Sequence, residues 1–350
     1  MKIPISDWRP TERQIKLKSP KISKLDFNTL NELSQKVISG IKKEDKNILV
    51  DVRASVSESV GEIETSVGFK NKEEVNSFTF SASGELVSEG DILQIGDLHF
   101  WRDFTFDENK FIKELVEKFH WSKKVVNANS GKYTLMLAPD VLAEILDFVI
   151  NSLSAQSLYK KVSKFEGKLN QKVADSRFNL LDDPTIDYAS HSTLYDDEGF
   201  LAETLPLIEN GVLKNFYNNL KTAEKLKAKP VGRGFGIPAT PSTTNLIIKE
   251  GDKTKAQIIK GIKKGILVES VIGGGQDSPY AGDFTLNIHL GFLIENGEIV
   301  GRVKNLLFSG NIFEILLNNL GEIASDTQWL GGSAQIPYVS LENINVTGSK

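Results

Sequence analysis

The chain has 350 residues, 40% of them hydrophobic and 25% charged, with a formal net charge of −4. This suffices for two packed units, and the mild acidity argues against a protein built to grip nucleic acid. There is no cysteine and there are four histidines, which excludes disulfides, thiolate metal sites and cysteine nucleophiles and leaves little material for a histidine-rich metal site.

The N-terminus is polar and charged, unlike a signal peptide. No apolar run approaches the length of a transmembrane helix. A soluble, cytoplasmic protein is expected. Residues 1–24 are basic, carry three prolines and lack periodicity, which predicts an extended arm. A helix follows, with Thr29 and Glu32 as a capping box and Leu30, Leu33, Val37 and Ile41 as its apolar stripe. Strands are predicted over 48–56, 62–69, 77–83 and 91–100, with Phe78 and Phe80 sharing a face. Asp107 caps a helix carrying Phe111, Leu115 and Phe119. His120 at its end suits the negative end of the helix dipole. The polar segment 125–132 marks a boundary between an N-terminal unit, 1–130, and a C-terminal one, 131–350.

A strand at 133–137 leads to Pro139 and Asp140, which open a helix burying Leu142, Ile145, Leu146, Val149 and Leu153. Acidic turns, Asp182-Asp183-Pro184 and Asp196-Asp197-Glu198, flank His191. Carboxylates near a histidine suit acid/base or metal chemistry, but these are also ordinary turn sequences. Leu207-Ile208-Glu209-Asn210-Gly211 predicts a hairpin, because a type I′ turn needs φ > 0 at both central residues. Gly232–Pro238 lacks the lysine of a phosphate loop, and so does Gly273–Pro279, read as a flexible loop beside a cleft. Thr254 with Gln257, and Asn311 with Glu314, cap two further helices, the second closed by Gly321. Between them, residues 284–290 alternate, and Leu293-Ile294-Glu295-Asn296-Gly297 repeats the earlier hairpin. This echo implies two similar sheet units, one large sheet entered twice, or recurrence of good turn chemistry. Short strands end the chain.

The order of these motifs is specific. Ala138-Pro139-Asp140, Leu153-Ser154, Gly167-Lys168-Leu169, Asp182-Asp183-Pro184-Thr185, both Ile-Glu-Asn-Gly hairpins, Gly282-Asp283-Phe284 and Gly310-Asn311 follow one another. In this order the chain resembles the TldD/PmbA family, also called peptidase family U62 or modulator of DNA gyrase. The resemblance is strong from Gly131 to about Gly348 and fainter over 26–128. It implies an α+β fold of mostly antiparallel sheets with packed helices, in two domains, and makes the echoed hairpin a family feature. It also implies a further N-terminal segment that this sequence is expected to lack.

The family has two branches. The TldD type resembles a zinc metalloprotease, with a His-Glu-x-x-x-His helix and a cysteine; the PmbA or TldE type lacks these ligands and is a partner subunit. The resemblance places the metal-helix positions on Leu146, Asp147 and Asn151: the two histidines fall on Leu146, which cannot ligate zinc, and Asn151, a poor ligand, and the glutamate falls on Asp147. It therefore implies no cofactor in this chain, with zinc only in a TldD-type partner. The expected function is a non-catalytic subunit of a homo- or heterodimer acting on peptides or unfolded protein. Such a subunit would hold peptide by strand addition, with Asp283, Phe284 and His289 as candidate contacts. The alternatives are a self-sufficient hydrolase using His191 or His289, and a DNA- or gyrase-associated module.

Overall fold

A computed structural model of the chain describes residues 11–66, 68–88, 90–273 and 279–348. Three long strands, β1 (Leu49–Glu64), β2 (Lys70–Ser88) and β3 (Asp91–Trp101), form an antiparallel meander. Helix α1 (Phe27–Lys42) precedes them and α2 (Glu108–Ser122) follows. Alternation turns Phe78 and Phe80 inward, fully buried, where they pack with Phe106 and Phe111. Burial of each such ring contributes roughly 1.5–3 kcal/mol.

Two local predictions shift here. The cap of α1 is Asp26, which accepts from Thr29 N at 2.8 Å and Thr29 Oγ1 at 2.6 Å. Thr29 is thus one turn inside the helix, its hydroxyl already donating. Residues 62–69 are not a separate strand. Glu62–Glu64 are the last residues of β1 itself, and the chain reverses where Thr65 N donates to Phe69 O at 2.9 Å.

The basic arm is docked where it is described. Ser19 is fully buried; its N–H donates to Asn76 Oδ1 and its carbonyl accepts from Asn76 Nδ2, both at 2.8 Å. Lys16 meets Asp187 at 3.1 Å, so the arm bridges β2 and a distant loop.

The remaining strands are β4 (Gly131–Leu137), β5 (Leu180–Asp182), β6 (Leu205–Glu209), β7 (Val212–Leu213), β8 (Gly234–Phe235), β9 (Thr240–Pro241), β10 (Leu246–Ile248), β11 (Lys264–Ile272), β12 (Asp283–Glu295), β13 (Glu298–Val303), β14 (Leu306–Asn311), β15 (Leu320–Leu330) and β16 (Ala334–Gly348). All but β8 and β9, which pair with each other, join one eleven-stranded sheet. Its main path runs β13-β12-β11-β4-β16-β10-β5-β6-β7. Most pairs are antiparallel; β11 with β4 and β10 with β16 are parallel. The echoed hairpins therefore lie at opposite ends of a single sheet. Both have left-handed turns: Asn210 at φ 50° with Gly211 at 73°, and Asn296 at 50° with Gly297 at 83°. A Cβ on Gly297 would also lie 2.6 Å from the Lys260 carbonyl, so glycine is required there.

Five helices cover this sheet: α3 (Pro139–Ser152), α4 (Ala155–Tyr159), α5 (Leu220–Leu226), α6 (Lys255–Gly261) and α7 (Ile312–Asn318). Gly321 does not close α7. It lies in β15, where a Cβ would meet the Ser340 side chain of β16 at 2.4 Å. The chain ends in long strands of 11 and 15 residues, not short ones, because they pair with each other. No helix among the described residues is long and apolar enough to cross a membrane.

The segment read as a boundary runs beside β13: Val126 N donates to Arg302 O at 2.9 Å and Arg302 N to Lys124 O at 2.8 Å. Trp101 and Trp329 pack across the same junction with ring centroids 4.5 Å apart. Of the glycine-rich loop, residues 274–278 lie outside the described part, as do residues 1–10 of the arm.

Candidate functional site

Helix α3 starts at a proline, whose missing N–H costs nothing in the first turn. Leu142, Ile145, Leu146 and Val149 are each no more than 3% exposed and pack into the core. The opposite face carries Asp140, Glu144, Asp147 and Asn151, all exposed. The three positions singled out by resemblance therefore divide. Leu146 points into the core, while Asp147 and Asn151, one turn apart, share the outer face. Desolvation raises the carboxyl pKa of Asp140, Glu144 and Asp147, and the charge of Asp147 adds to the rise at Glu144.

Tyr217 closes the C-terminal end of this face, its hydroxyl donating to the Ile150 carbonyl at 3.1 Å. Burial pushes its phenol up to about 12, opposed by a hydrogen bond from Ser154 and assisted by the Asp182 charge. The sequence did not single out this buried tyrosine.

The candidate peptide contacts on β12 do not converge. Asp283 is exposed and accepts from Asn311 Nδ2 at 3.0 Å, while Asn311 Oδ1 caps α7. Phe284 is only 3% exposed, its ring edge-on to Phe308 at 5.7 Å. Its ring is a core element and offers no surface to a ligand. His289 is exposed six residues along, about 20 Å away at strand rise. It lines a separate cavity of 200 Å³ with Asp91, Arg302 and Lys304. Nor is β12 a free edge. It pairs with β14 over Asp283–Asn287, with β11 over Asn287–Glu295 and with β13 over Gly291–Glu295. The long open edge is that of β1, which among the described residues bonds only to β2 through its backbone.

Asp182, Asp183 and Asp196, three of the carboxylates flanking His191 in sequence, are committed elsewhere. Asp182 is fully buried against Arg233, with Nε donating at 2.6 Å. Asp183 accepts from Thr185 N at 2.8 Å. Asp196 accepts from the backbone N–H groups of Glu198, Phe200 and Gly234. These are turn and scaffold roles. His191 itself opens onto a cavity of 440 Å³ with Arg102, Glu73 and Asp197. Desolvation holds its pKa below the usual value, assisted by the Arg102 charge and opposed by a hydrogen bond to the Thr244 backbone.

Residues 130–348 match the family described as PmbA/TldA metallopeptidase C-terminal domain. The chain belongs to this family. A metalloprotease of Methanothermobacter thermautotrophicus is 31% identical over 236 residues, covering 63% of this chain and 51% of that one. A zinc metalloprotease TldD homolog of Saccharolobus solfataricus is 27% identical over 261 residues, covering 69% and 58%. The chain thus spans between half and three-fifths of the length of these two curated relatives.

A candidate modulator of DNA gyrase from Bacteroides thetaiotaomicron superposes with a TM-score of 0.86 at 26% identity, covering 98% of this chain and 76% of that one. TldE from Thermococcus kodakarensis shares the fold, with a TM-score of 0.86 at 24% identity and coverage of 97% and 81%. This family membership and fold agree with the α+β architecture.

The family's metallopeptidase chemistry requires a metal held by three or four N, S or O donors. Leu146 supplies none, Asn151 is a poor donor, and the chain contains no cysteine. Among the described residues, no group of three or more His, Cys, Asp or Glu side chains converges to hold a metal ion. The α3 helix therefore does not fit zinc.

Proposed function

We propose that this chain is a non-catalytic, PmbA/TldE-like subunit of a TldD-type metalloprotease complex acting on peptides or unfolded protein. It acts in the cytoplasm, with two units meeting near residue 130. The observation that carries this reading is Leu146, buried in the core at the position where resemblance calls for a metal-binding imidazole. Its neighbours Asp147 and Asn151 retain a polar face with one carboxylate and no imidazole or thiolate. The open edge of β1 offers unpaired backbone groups to an extended peptide.

Isolation of the tagged chain from its native cells, followed by mass analysis of the intact complex, tests this. The expected result is co-isolation with a protein carrying a His-Glu-x-x-x-His sequence. Recovery of the chain alone, or only with copies of itself, contradicts the hetero-subunit reading.

A further inference from the structure

The cavity holding His191 lies between the far end of the β1–β2 hairpin and the loops around residues 190 and 242. Its volume of 440 Å³ falls within the range of small-ligand sites. Ile63 and Phe235 give it apolar wall, and serines and threonines supply much of the rest.

The cavity lining carries charges of both signs. Arg102 is half-buried. Among the described residues its side chain makes one hydrogen bond, from Nη1 to the Ala189 carbonyl at 3.3 Å. Among the described residues its Nε and Nη2 donors make no hydrogen bond. A guanidinium with spare, coplanar donors suits a carboxylate. Three carboxylates line the same cavity. Glu73 is occupied by Thr193 Oγ1 at 2.7 Å, and Asp197 by Gly236 N at 2.7 Å. Glu62 is exposed and makes no hydrogen bond or ion pair among the described residues. A simple anion would meet this excess of negative charge, and a simple cation would meet Arg102. A molecule carrying both charges satisfies both ends.

We propose that this cavity binds a zwitterionic short peptide of two or three residues, its α-carboxylate on Arg102 and its α-ammonium toward Glu62. His191 and the hydroxyl-bearing wall would hydrogen-bond the peptide backbone between the two ends. The site deepens the peptide-handling role proposed above and rests on it for its biological meaning. Binding is nevertheless a property of the isolated chain, so this site can fail while the partner subunit is still found, and the reverse.

Calorimetric titration of the pure chain with trialanine, its C-terminal amide and its N-acetyl form tests the site. Each modification removes one terminal charge, so each is expected to weaken binding by about tenfold or more. Arg102→Gln is expected to weaken trialanine similarly and to abolish the difference between the free acid and the amide. Glu62→Gln, a change at an exposed side chain, is expected to abolish the effect of acetylation. Equal binding of all three peptides to the unaltered protein, or no binding of trialanine at millimolar concentration, overturns the proposal. So does an acid-over-amide preference that survives in a folded Arg102→Gln variant. If that variant does not fold, the three peptides on the unaltered protein decide.

Discussion

Replacing Arg233 with methionine is expected to destabilise the fold by about 3–5 kcal/mol, the usual cost of stranding one member of a buried ion pair. Arg233 and Asp182 are both fully buried. Every guanidinium direction is used: Nε donates to Asp182 at 2.6 Å, Nη1 to the carbonyls of Val231 and Gly232, and Nη2 to those of Asp182 and Glu203. Asp182 also accepts from the Thr244 backbone and hydroxyl. Methionine fills comparable space but leaves four carbonyl contacts and a carboxylate without this donor. Urea unfolding measures the loss. Adding Asp182→Asn to the methionine variant removes the lone charge and is expected to recover part of it. A loss below roughly 1 kcal/mol, ordinary for a surface change, contradicts the role given to the pair.

The second large effect is expected at Glu269, on β11 beneath α2 and α6. It is 6% exposed, with Lys118 at 2.9 Å and Lys255 at 3.7 Å. Burial alone would raise its pKa, but the two ammonium groups outweigh burial and hold it below the ordinary glutamate value. Lys118, though desolvated, is pushed up to about 12 by Glu269 and Asp97. A depressed carboxyl contributes stability that is complete above its unfolded pKa of about 4.3 and is lost as pH falls through the lower folded value. The raised lysine contributes stability that is complete below its unfolded pKa of about 10.4 and is lost as pH rises toward its folded value. Half-buried Asp97, raised to about 6 by desolvation, has the opposite sign to Glu269: its contribution fades as pH rises through that value. Glu269→Gln is therefore expected to cost about 3 kcal/mol at neutral pH and to flatten the acid limb below about pH 4.3. Unfolding free energy measured across pH checks both. Parallel pH profiles for the two proteins would contradict the assignment.

What the sequence made legible was mostly local. Asn-Gly requires positive φ at both residues, so both hairpins were readable without knowing where they would lie. The Thr254–Gln257 capping box is formed reciprocally, and Asn311 caps α7, as their spacing implied. The stripe on α3 followed from the helical period, and so did the burial of Leu146. Alternation along β12 likewise dictated that Phe284 turns inward while Asp283 and His289 turn out. Of the three candidate contacts, only Asp283 and His289 are open to a ligand.

What escaped was long-range. Asp182 reads as a turn carboxylate and Arg233 as part of a glycine-rich loop, and nothing local joins residues 51 positions apart. Arg102 and His191 line one cavity because the chain just after β3 docks on the loop near residue 190, Arg102 N donating to the Tyr188 carbonyl and Nη1 to the Ala189 carbonyl, both at 3.3 Å. The single sheet also depends on β4 pairing with both β11 and β16, from distant parts of the chain.

The most direct test of the accessory-subunit reading is metal analysis with a peptide-cleavage assay on the pure chain, alone and after mixing with a His-Glu-x-x-x-His partner. The chain alone is expected to carry no stoichiometric zinc and to cleave nothing, with cleavage appearing only in the mixture. Stoichiometric zinc in the pure chain, removed by a chelator together with peptide-cleaving activity, would contradict it.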